Sequence, residues 1–358
     1  MQKRCRVGVI YGGRSGEHEV SLVSAASVMR AIDRERFDVV PIAIDKNGRW
    51  LRAQFDGTQA VATGEPVALL TDPTNPRLVS LAGERVEQID IFFPVLHGTF
   101  GEDGTLQGLL EMAGVPYVGA GVLASAAGMD KGIMKALFAQ AGLPQVPYQV
   151  LLRSEWERSP AKIVQRLEGT LAYPMFVKPA NLGSSVGVSK ALDRAQLNVA
   201  IAKAAAYDRR LIVEQGVVAR EIECSVLGND EPCASIPGEI VPCNEFYDYR
   251  AKYVDTGSEL LIPAPLADDV VAEVQKLAIK AFRAIDCSGM ARVDFFLEKD
   301  SGRVLVNEIN TIPGFTAISM YPKLWEASGL SYRDLLTRLL TLGWERFQDR
   351  SRLRTSYN

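Results

Sequence analysis

The chain has 358 residues, of which 47% are hydrophobic and 23% charged, and its 40 basic and 43 acidic residues give a formal net charge of -3. This length predicts two or three packed units, and the charge balance indicates small-molecule partners rather than nucleic acid or a membrane surface. The N-terminus is basic and then apolar, but its apolar run is short and ends at Gly12, which predicts a strand rather than a signal peptide. Five scattered cysteines without a CxxC pair favour a reducing, cytoplasmic compartment.

Strand and helix signals alternate in the first third of the chain. A β-rich run at 6–11 precedes a helical pattern at 17–32, and further strands are expected at 38–44 and 88–96. This alternation predicts a parallel sheet with helices on its faces. The segment 52–85 is polar and weakly periodic, so we expect it to be loop-like.

A second unit is expected to begin near residue 129. Its first helix, over 131–141, should end before Gly142 and Pro144. The elements predicted after it are strands over 175–178, 186–190 and 211–214, further alternating strands beyond 220, and helices over 194–206, 267–284 and 331–347.

Two predicted strands near the C-terminus carry charged and amide side chains on one face. Side chains alternate along a strand, so Arg292 shares a face with Asp294, and Glu308 shares a face with Asn310. If the strands form a hairpin, these four side chains meet in one pocket. Carboxylate and amide oxygens suit Mg²⁺ together with phosphate oxygens. A plain salt bridge from Arg292 to Asp294 or Glu308 explains the pattern equally well.

A lysine and a small-residue loop follow the predicted strand at 175–178. Gly and Ser in the segment 179–187 would allow backbone N–H groups to approach an anion, and Lys178 would add positive charge for a phosphate. The segment lacks the GxxxxGK[ST] spacing of a Walker A loop. The alternative is a flexible hairpin turn, which the loop taken alone favours.

Two Gly-rich loops follow predicted strands in the N-terminal third. His97 opens one of them, and ligand sites in open α/β sheets lie at the carboxyl ends of strands. A lone histidine is more often structural, and this position shifts the balance modestly towards function. The loop after Tyr11 lacks GxGxxG spacing, so no dinucleotide is inferred.

The segment 244–253 is aromatic and charged. It is compatible with a lid over a site and equally with an exposed connector that buries its tyrosine rings. The residue pattern alone leaves both interpretations open.

Seven segments, in order, resemble the D-alanine–D-alanine ligase family of ATP-grasp enzymes. They are GGRSGEHEVSL, LHGTFGEDGTLQGLLEMAGVPYVG, MDKGIMK, FVKPANLGSSVGVS, EFYDYRAKY, ARVDFFL and VNEINTIPGFTAISM, between residues 12 and 320. The resemblance implies an α/β fold, α+β in its C-terminal half, of the ATP-grasp type with an N-terminal Rossmann-like domain. The implied domains are 1–128, a central ATP-grasp subdomain at 129–214, and a C-terminal subdomain at 215–358 with a substrate lid at about 243–260.

The resemblance also implies which residues hold the nucleotide and metal. The implied phosphate ligands are Lys131, Lys178 and, from the lid, Lys252. The implied adenosine ligands are Glu214, Gln215 and Val217 at the adenine and Glu221 at the ribose. The implied ligands of two Mg²⁺ ions, with Mn²⁺ as an acceptable substitute, are Asp294, Glu308 and Asn310.

The implied reaction joins two D-alanine molecules through a D-alanyl phosphate for peptidoglycan synthesis. The implied substrate residues are Glu17 at the first ammonium, His97 near the same substrate, Arg292 and the Gly314 backbone at the oxyanion, Ser319 at the second carboxylate, Tyr253 in its pocket, and Ser184 tying the lid to the site. The resemblance further implies a homodimer.

Other functions compete with this one. Depsipeptide ligases, which use D-lactate, carry a different lid, whereas Tyr249, Lys252 and Tyr253 match the dipeptide type. A non-catalytic nucleotide-binding protein on the same fold is a further alternative. A third is a ligase for another acid, against which the Glu17 and His97 loops argue. Arg250 departs from the acidic residue common in family lids.

Overall fold

The computed structural model describes residues 4–83, 86–183, 186–241 and 259–354. Three predicted site residues, Ser184, Lys252 and Tyr253, lie outside the described residues, as does nearly all of the predicted lid. In the described ranges, no helix combines the length and the apolar character needed to cross a membrane.

The N-terminal part of the chain builds a first sheet with helices packed on it. Its elements are β1 (Cys5–Gly12), α1 (His18–Ala31), β2 (Phe37–Ile44), β3 (Trp50–Arg52), β4 (Glu65–Leu70), β5 (Arg77–Ser80), β6 (Val86–Glu87), β7 (Ile91–Val95), α2 (Thr105–Met112) and α3 (Val122–Met129). The strand order is β6-β5-β4-β3-β2-β1-β7. β1 pairs in parallel with β2 and β7, which confirms the parallel arrangement predicted for those strands.

The prediction that 52–85 is loop-like was wrong. β3 to β6 extend the first sheet in antiparallel pairs beyond β2. Each of these strands is short, so the period-two pattern has too few residues to stand out. Val67 and Leu78 nevertheless bury their side chains in the core on one face of this extension.

The middle of the chain builds a second, antiparallel sheet. Its elements are α4 (Lys131–Gln140), β8 (Tyr148–Leu152), α5 (Arg153–Arg158), α6 (Pro160–Glu168), β9 (Met175–Pro179), β10 (Ser189–Ala191), α7 (Arg194–Ala205) and β11 (Arg210–Gln215), in strand order β10-β9-β11-β8. The strand expected over 186–190 begins later, at Ser189. Gly187 has a φ of +75°, which places a turn where the strand was expected.

The C-terminal part builds a third sheet with helices beside it. Its elements are β12 (Ala219–Gly228), β13 (Cys233–Ala234), β14 (Gly238–Val241), β15 (Glu259–Leu261), α8 (Asp268–Ala284), β16 (Gly289–Glu298), β17 (Val304–Asn310), α9 (Met320–Ala327) and α10 (Tyr332–Ser351). The strand order is β15-β14-β12-β16-β17, and β13 pairs with β12. The predicted hairpin is confirmed, because β16 and β17 are antiparallel neighbours.

The segment after β17 is anchored in the same hydrophobic core as the first sheet. Phe315 is fully buried, and its ring centroid lies 5.9 Å from that of Phe93 on β7 and 5.8 Å from that of Tyr321. Tyr332, at the start of α10, stacks on it at 6.3 Å. The N-terminal and C-terminal parts of the chain are therefore packed together beside this segment. The domain boundaries at 128 and 214 stay predictions.

Candidate active site

A cavity of about 350 Å³ lies between the second and third sheets. Strands β9 and β11 contribute one wall, and β12, β14, β16 and β17 contribute the other. The predicted ligands in its lining are Lys131, Lys178, Glu214, Gln215, Val217, Glu221, Asp294 and Glu308. The fold therefore gathers in one cleft side chains that the sequence distributes over separate motifs.

Lys131 is positioned by the start of its helix. The Asp130 carboxylate accepts hydrogen bonds of 3.0 Å from the N–H groups of the two residues after Lys131, which caps α4. The Lys131 ammonium donates to the Leu182 carbonyl at 2.8 Å and lies 3.8 Å from Glu308 Oε2. A positive charge is thus held between the Gly-rich loop and the acidic face of β17.

Glu214 is the centre of a buried Lys–Glu–Lys triad. Its carboxylate contacts Lys178 Nζ at 2.5 Å and Lys135 Nζ at 3.0 Å. The side chains of Lys135 and Glu214 are only 1% and 4% exposed. Burial lowers the pKa of Lys178, but the charges of Glu214 and Glu308 outweigh burial and raise it. Lys178 therefore keeps its positive charge inside the cleft, as a phosphate ligand must.

The triad predicts a loss of stability in acid. Burial alone would raise the pKa of Glu214, but Lys135 and Lys178 lower it from 4.5 to about 2. A carboxyl group whose pKa is lower in the folded than in the unfolded state stabilises the fold at pH values above its unfolded pKa. That contribution disappears as the pH falls from about 5 to about 2. We expect it to reach about 3 kcal/mol. Urea unfolding across this pH range should show that the free energy of unfolding falls more steeply with decreasing pH for the wild type than for Glu214→Gln. Identical slopes would contradict the assignment of the triad.

The predicted adenosine ligands line the end of β11 and the start of β12. Val217 and Glu221 border the cavity. Gln215 borders it too, but its side-chain oxygen accepts the Ala172 N–H at 3.0 Å. The side chain of Gln215 is therefore directed to the segment before β9.

The hairpin of β16 and β17 brings its acidic and amide side chains onto one face. Asp294 is opposite Glu308, and Arg292 is opposite Asn310. The Arg292 guanidinium donates two hydrogen bonds of 2.7 Å to Asp294 and lies 3.0 Å from Glu223 Oε2. The salt bridge considered as an alternative is formed, and it coexists with the clustering of the two carboxylates.

The oxygen donors on this face fit a divalent cation that also binds phosphate. Asp294 and Glu308 line the cavity, and the Asn310 side-chain oxygen accepts the Ile312 N–H at 3.0 Å. Within the described ranges, no group of three or more His, Cys, Asp or Glu side chains forms a metal site. Oxygens of a bound phosphate would add further ligands, which is how Mg²⁺ commonly binds in proteins.

Glu17 lies where loops from the first two sheets meet. Its Oε2 atom would be 2.7 Å from a Cβ added at Gly98 and 3.0 Å from one added at Gly183. Gly98 also has a φ of +76°, a conformation that favours glycine. The structure therefore places Glu17 between the loop that His97 opens and the Gly-rich loop after β9.

His97 connects the N-terminal loops to the segment after β17. Its Nδ1 atom is 3.2 Å from the Ile312 carbonyl oxygen, and its Nε2 atom is 3.1 Å from Ser24 Oγ. Burial disfavours the imidazolium, but the carboxylates of Glu102 and Glu17 outweigh burial and raise the pKa of His97. This histidine is thus buried beside the predicted first substrate site.

The segment after β17 holds Gly314 and Ser319 close together. Ser319 Oγ would be 2.7 Å from a Cβ added at Gly314. The same oxygen accepts the Thr316 N–H at 3.0 Å and lies 2.8 Å from Thr316 Oγ1. The backbone proposed for the oxyanion and the hydroxyl proposed for a carboxylate are therefore adjacent.

Sequence reasoning missed three residues of this region. Lys135 lies one helical turn after Lys131, so the i,i+4 spacing was a signal that it shares a face with Lys131. Glu223 meets Asp294 only because β12 pairs with β16. Ser24 contacts residues far along the chain, and no local pattern reveals it.

Two family models match the chain. The one described as D-ala D-ala ligase N-terminus matches residues 6–120, and the one described as D-ala D-ala ligase C-terminus matches residues 137–341. The chain is 57% identical to a D-alanine--D-alanine ligase of Heliobacterium modesticaldum, over 97% of this chain and 96% of that protein. It is 51% identical to one of Geobacillus thermodenitrificans, over 97% of both chains.

Solved structures share the fold over nearly the whole chain. The D-alanine-D-alanine ligase from Coxiella burnetii is 38% identical, with a TM-score of 0.84 over 97% of this chain and 96% of that chain. The VanG D-Ala:D-Ser ligase from Enterococcus faecalis is 35% identical, with a TM-score of 0.85 over 95% of this chain and 100% of that chain. The predicted ATP-grasp type of fold is thereby confirmed.

Proposed function

The chain belongs to the D-alanine–D-alanine ligase family, and from this premise we propose that it joins two D-alanine molecules with cleavage of ATP to ADP and phosphate. The product, D-alanyl-D-alanine, is used for peptidoglycan synthesis. The observation that carries the proposal is the cleft that Lys131 and Lys178 line together with Asp294 and Glu308. Two cations and two carboxylates in one cleft suit a metal-bound triphosphate.

The first half of the reaction needs an activated carboxylate. A free carboxylate is a poor electrophile, so the first D-alanine takes the γ-phosphoryl group and becomes an acyl phosphate. Lys131 and Lys178 would hold the phosphates in line, an arrangement on which phosphoryl transfer largely depends. Asp294, Glu308 and Asn310 would hold two Mg²⁺ ions, for which Mn²⁺ is an acceptable substitute. Bound there, the ions would offset phosphate charge.

The second half needs a stabilised oxyanion. The neutral amine of the second D-alanine attacks the acyl carbon and forms the C–N bond, so that the carbonyl oxygen gains negative charge. The C=O bond then re-forms, the C–O bond to phosphate breaks, and the nitrogen releases one proton. Arg292 and the backbone N–H at Gly314 would stabilise that charge, an effect worth roughly 3–4 kcal/mol per donor. Ser319 would bind the second substrate's carboxylate.

Adenosine binding and lid closure complete the proposal. Glu214, Gln215 and Val217 would border the adenine, and Glu221 would bind the ribose. Lys252, Tyr253 and Ser184 would close the site and exclude water, which would otherwise hydrolyse the acyl phosphate. These three residues lie outside the described residues, so their roles stay predictions.

Glu17 gives a test of the first substrate site. We expect Glu17→Gln to raise the KM for D-alanine by about 10- to 100-fold, because a charge-assisted hydrogen bond to the ammonium is lost. The KM for ATP should stay within about twofold, since Glu17 borders Gly183 at the edge of the cavity but does not itself line it. Steady-state kinetics with each substrate varied in turn measures both constants.

The matched control for Glu17→Gln is Glu19→Gln. Glu19 is two residues away, is 64% exposed and pairs with Lys46 on the surface. Its replacement should leave both KM values unchanged. A similar rise in KM for both variants would show that Glu17 does not act through a specific substrate contact.

The identity of the second substrate distinguishes a dipeptide ligase from the alternative ligases. D-Lactate is the alternative considered from the sequence, and D-serine enters because one structural neighbour is a D-Ala:D-Ser ligase. The relatives of about 50% identity support D-alanine. Incubation with D-alanine, D-serine and D-lactate at equal concentrations, followed by mass spectrometry, should give D-alanyl-D-alanine as the main product. A predominance of the D-serine or D-lactate product would overturn the choice.

A cytoplasmic location is part of the proposal, because the nucleotide and the cell-wall precursor are made there. A homodimer is also proposed from the family resemblance. Light scattering of the purified protein tests it directly.

A further inference from the structure

We propose that Ser24 and His97 form a hydrogen-bonded clamp that positions the segment 312–315 for the ligation step. This inference rests on the proposed function, in which the Gly314 N–H faces the developing oxyanion. In this view Ser24 and His97 are positioning residues. They act on the reaction through the backbone they hold.

The clamp makes hydrogen bonds to the segment on both sides of Gly314. His97 Nδ1 meets the Ile312 carbonyl oxygen at 3.2 Å, and the Phe315 N–H donates to Ser24 Oγ at 3.2 Å. A third contact of 3.1 Å joins Ser24 Oγ to His97 Nε2 and closes the chain of hydrogen bonds. The two residues that flank the Pro313–Gly314 pair are thereby tied to one side-chain dyad.

The donors and acceptors of this hydrogen-bond chain have one consistent arrangement when the imidazole is neutral, and in the imidazolium, which Glu102 and Glu17 favour, Nε2 donates to Ser24 Oγ instead. The Ile312 carbonyl can only accept, so Nδ1 carries the proton. The Phe315 N–H can only donate, so Ser24 Oγ accepts that hydrogen bond and donates its own O–H to Nε2 of the neutral ring. Both imidazole nitrogens are then used inside the protein. His97 therefore contributes to the site through the segment it holds.

Burial makes the clamp costly to break. Ser24, Ile312 and Phe315 are at most 1% exposed, and His97 is 4% exposed. Water cannot readily replace a lost partner there, so an orphaned N–H or carbonyl keeps its full desolvation penalty. The segment would shift to recover a hydrogen bond, and displacements of about 1 Å at a catalytic group can cost about 10²-fold in rate.

The clamp also links the substrate side to the metal side of the site. Ser24 lies on α1, which begins directly after Glu17. Ile312, whose carbonyl contacts His97, donates its N–H to the side-chain oxygen of Asn310. One hydrogen-bonded path thus runs from the helix that follows Glu17, through the oxyanion segment, to a proposed metal ligand.

The test compares Ser24→Ala with Ser27→Ala in the full-length protein. Ser27 is on the same helix, and its hydroxyl also reaches the C-terminal part, at 3.1 Å from Tyr332 Oη. We expect Ser24→Ala to lower kcat by about tenfold or more while the KM for ATP stays within about twofold. Ser27→Ala should keep the wild-type kcat, although its Tm falls slightly.

A double-mutant cycle with His97→Asn sharpens the test. Asparagine keeps a donor near the position of Nδ1 but loses the link to Ser24. If both residues act through one clamp, the combined loss in kcat should be clearly smaller than the product of the two single losses. Should Ser24→Ala fail to fold, His97→Asn alone must lower kcat by at least about fivefold at unchanged ATP KM.

The outcomes separate the clamp from the proposed function. A wild-type kcat in Ser24→Ala, independent effects in the cycle, or a kcat loss matched by Ser27→Ala would overturn the clamp and leave the ligase activity standing. A wild-type protein without D-alanine-dependent turnover would overturn the proposed function, and the clamp with it.

Discussion

Replacing Asp294 by asparagine is expected to lower kcat by about 10²- to 10³-fold. The change keeps the size of the side chain but removes a charge that, in our account, holds the cation which offsets phosphate charge during transfer. The remaining activity should need a higher Mg²⁺ concentration, because one charged ligand of the ion is gone. Turnover measured at increasing Mg²⁺ shows both effects.

Asp300→Asn is the matched control for this prediction. Asp300 is exposed in the turn between β16 and β17, on the same hairpin as Asp294. The control should keep wild-type turnover and an unchanged Mg²⁺ dependence. If Asp294→Asn loses turnover without any change in Mg²⁺ dependence, the residue acts through its pair with Arg292, and the metal assignment is wrong.

Replacing Lys135 by methionine is expected to destabilise the fold by about 3 kcal/mol. The buried Glu214 carboxylate would lose one of its two cationic partners, and breaking a buried ion pair typically costs about 3–5 kcal/mol. The lower end is appropriate because Lys178 remains 2.5 Å from the carboxylate. Urea denaturation of the purified variant measures the change in the free energy of unfolding.

Lys46→Met makes the same substitution in an exposed ion pair. Lys46 contacts Glu19 at 2.6 Å, and the two side chains are 66% and 64% exposed. Because solvent screens such a pair, its loss should cost at most about 1 kcal/mol. Equal destabilisation by both variants would mean that burial of the triad has no special energetic role.

The catalytic hairpin could be predicted from the sequence because its signal is local. Strand periodicity alone placed Arg292 and Asp294 on one face, and the short connection to Glu308 and Asn310 implied antiparallel pairing. The structure has that register. Strand periodicity did not show which group pairs with Arg292. In the structure Arg292 binds Asp294, and the two carboxylates of the hairpin still lie close together.

The rest of the site depends on contacts that no local pattern encodes. Glu214 was expected at the adenine edge, but its burial between two lysines required knowledge of how α4 packs on the second sheet. Ser24 meets Phe315 across 291 positions of sequence. The short strands β3 to β6 were missed because each is held by its neighbours in the sheet rather than by its own pattern.

D-Alanine-dependent release of ADP by the purified protein, with ATP and Mg²⁺, tests the central claim most directly. We predict one ADP for each D-alanyl-D-alanine formed, with little ADP release when D-alanine is left out. Measurable ATP binding without D-alanine-dependent ADP release would contradict it and would indicate a nucleotide-binding protein that lacks ligase activity.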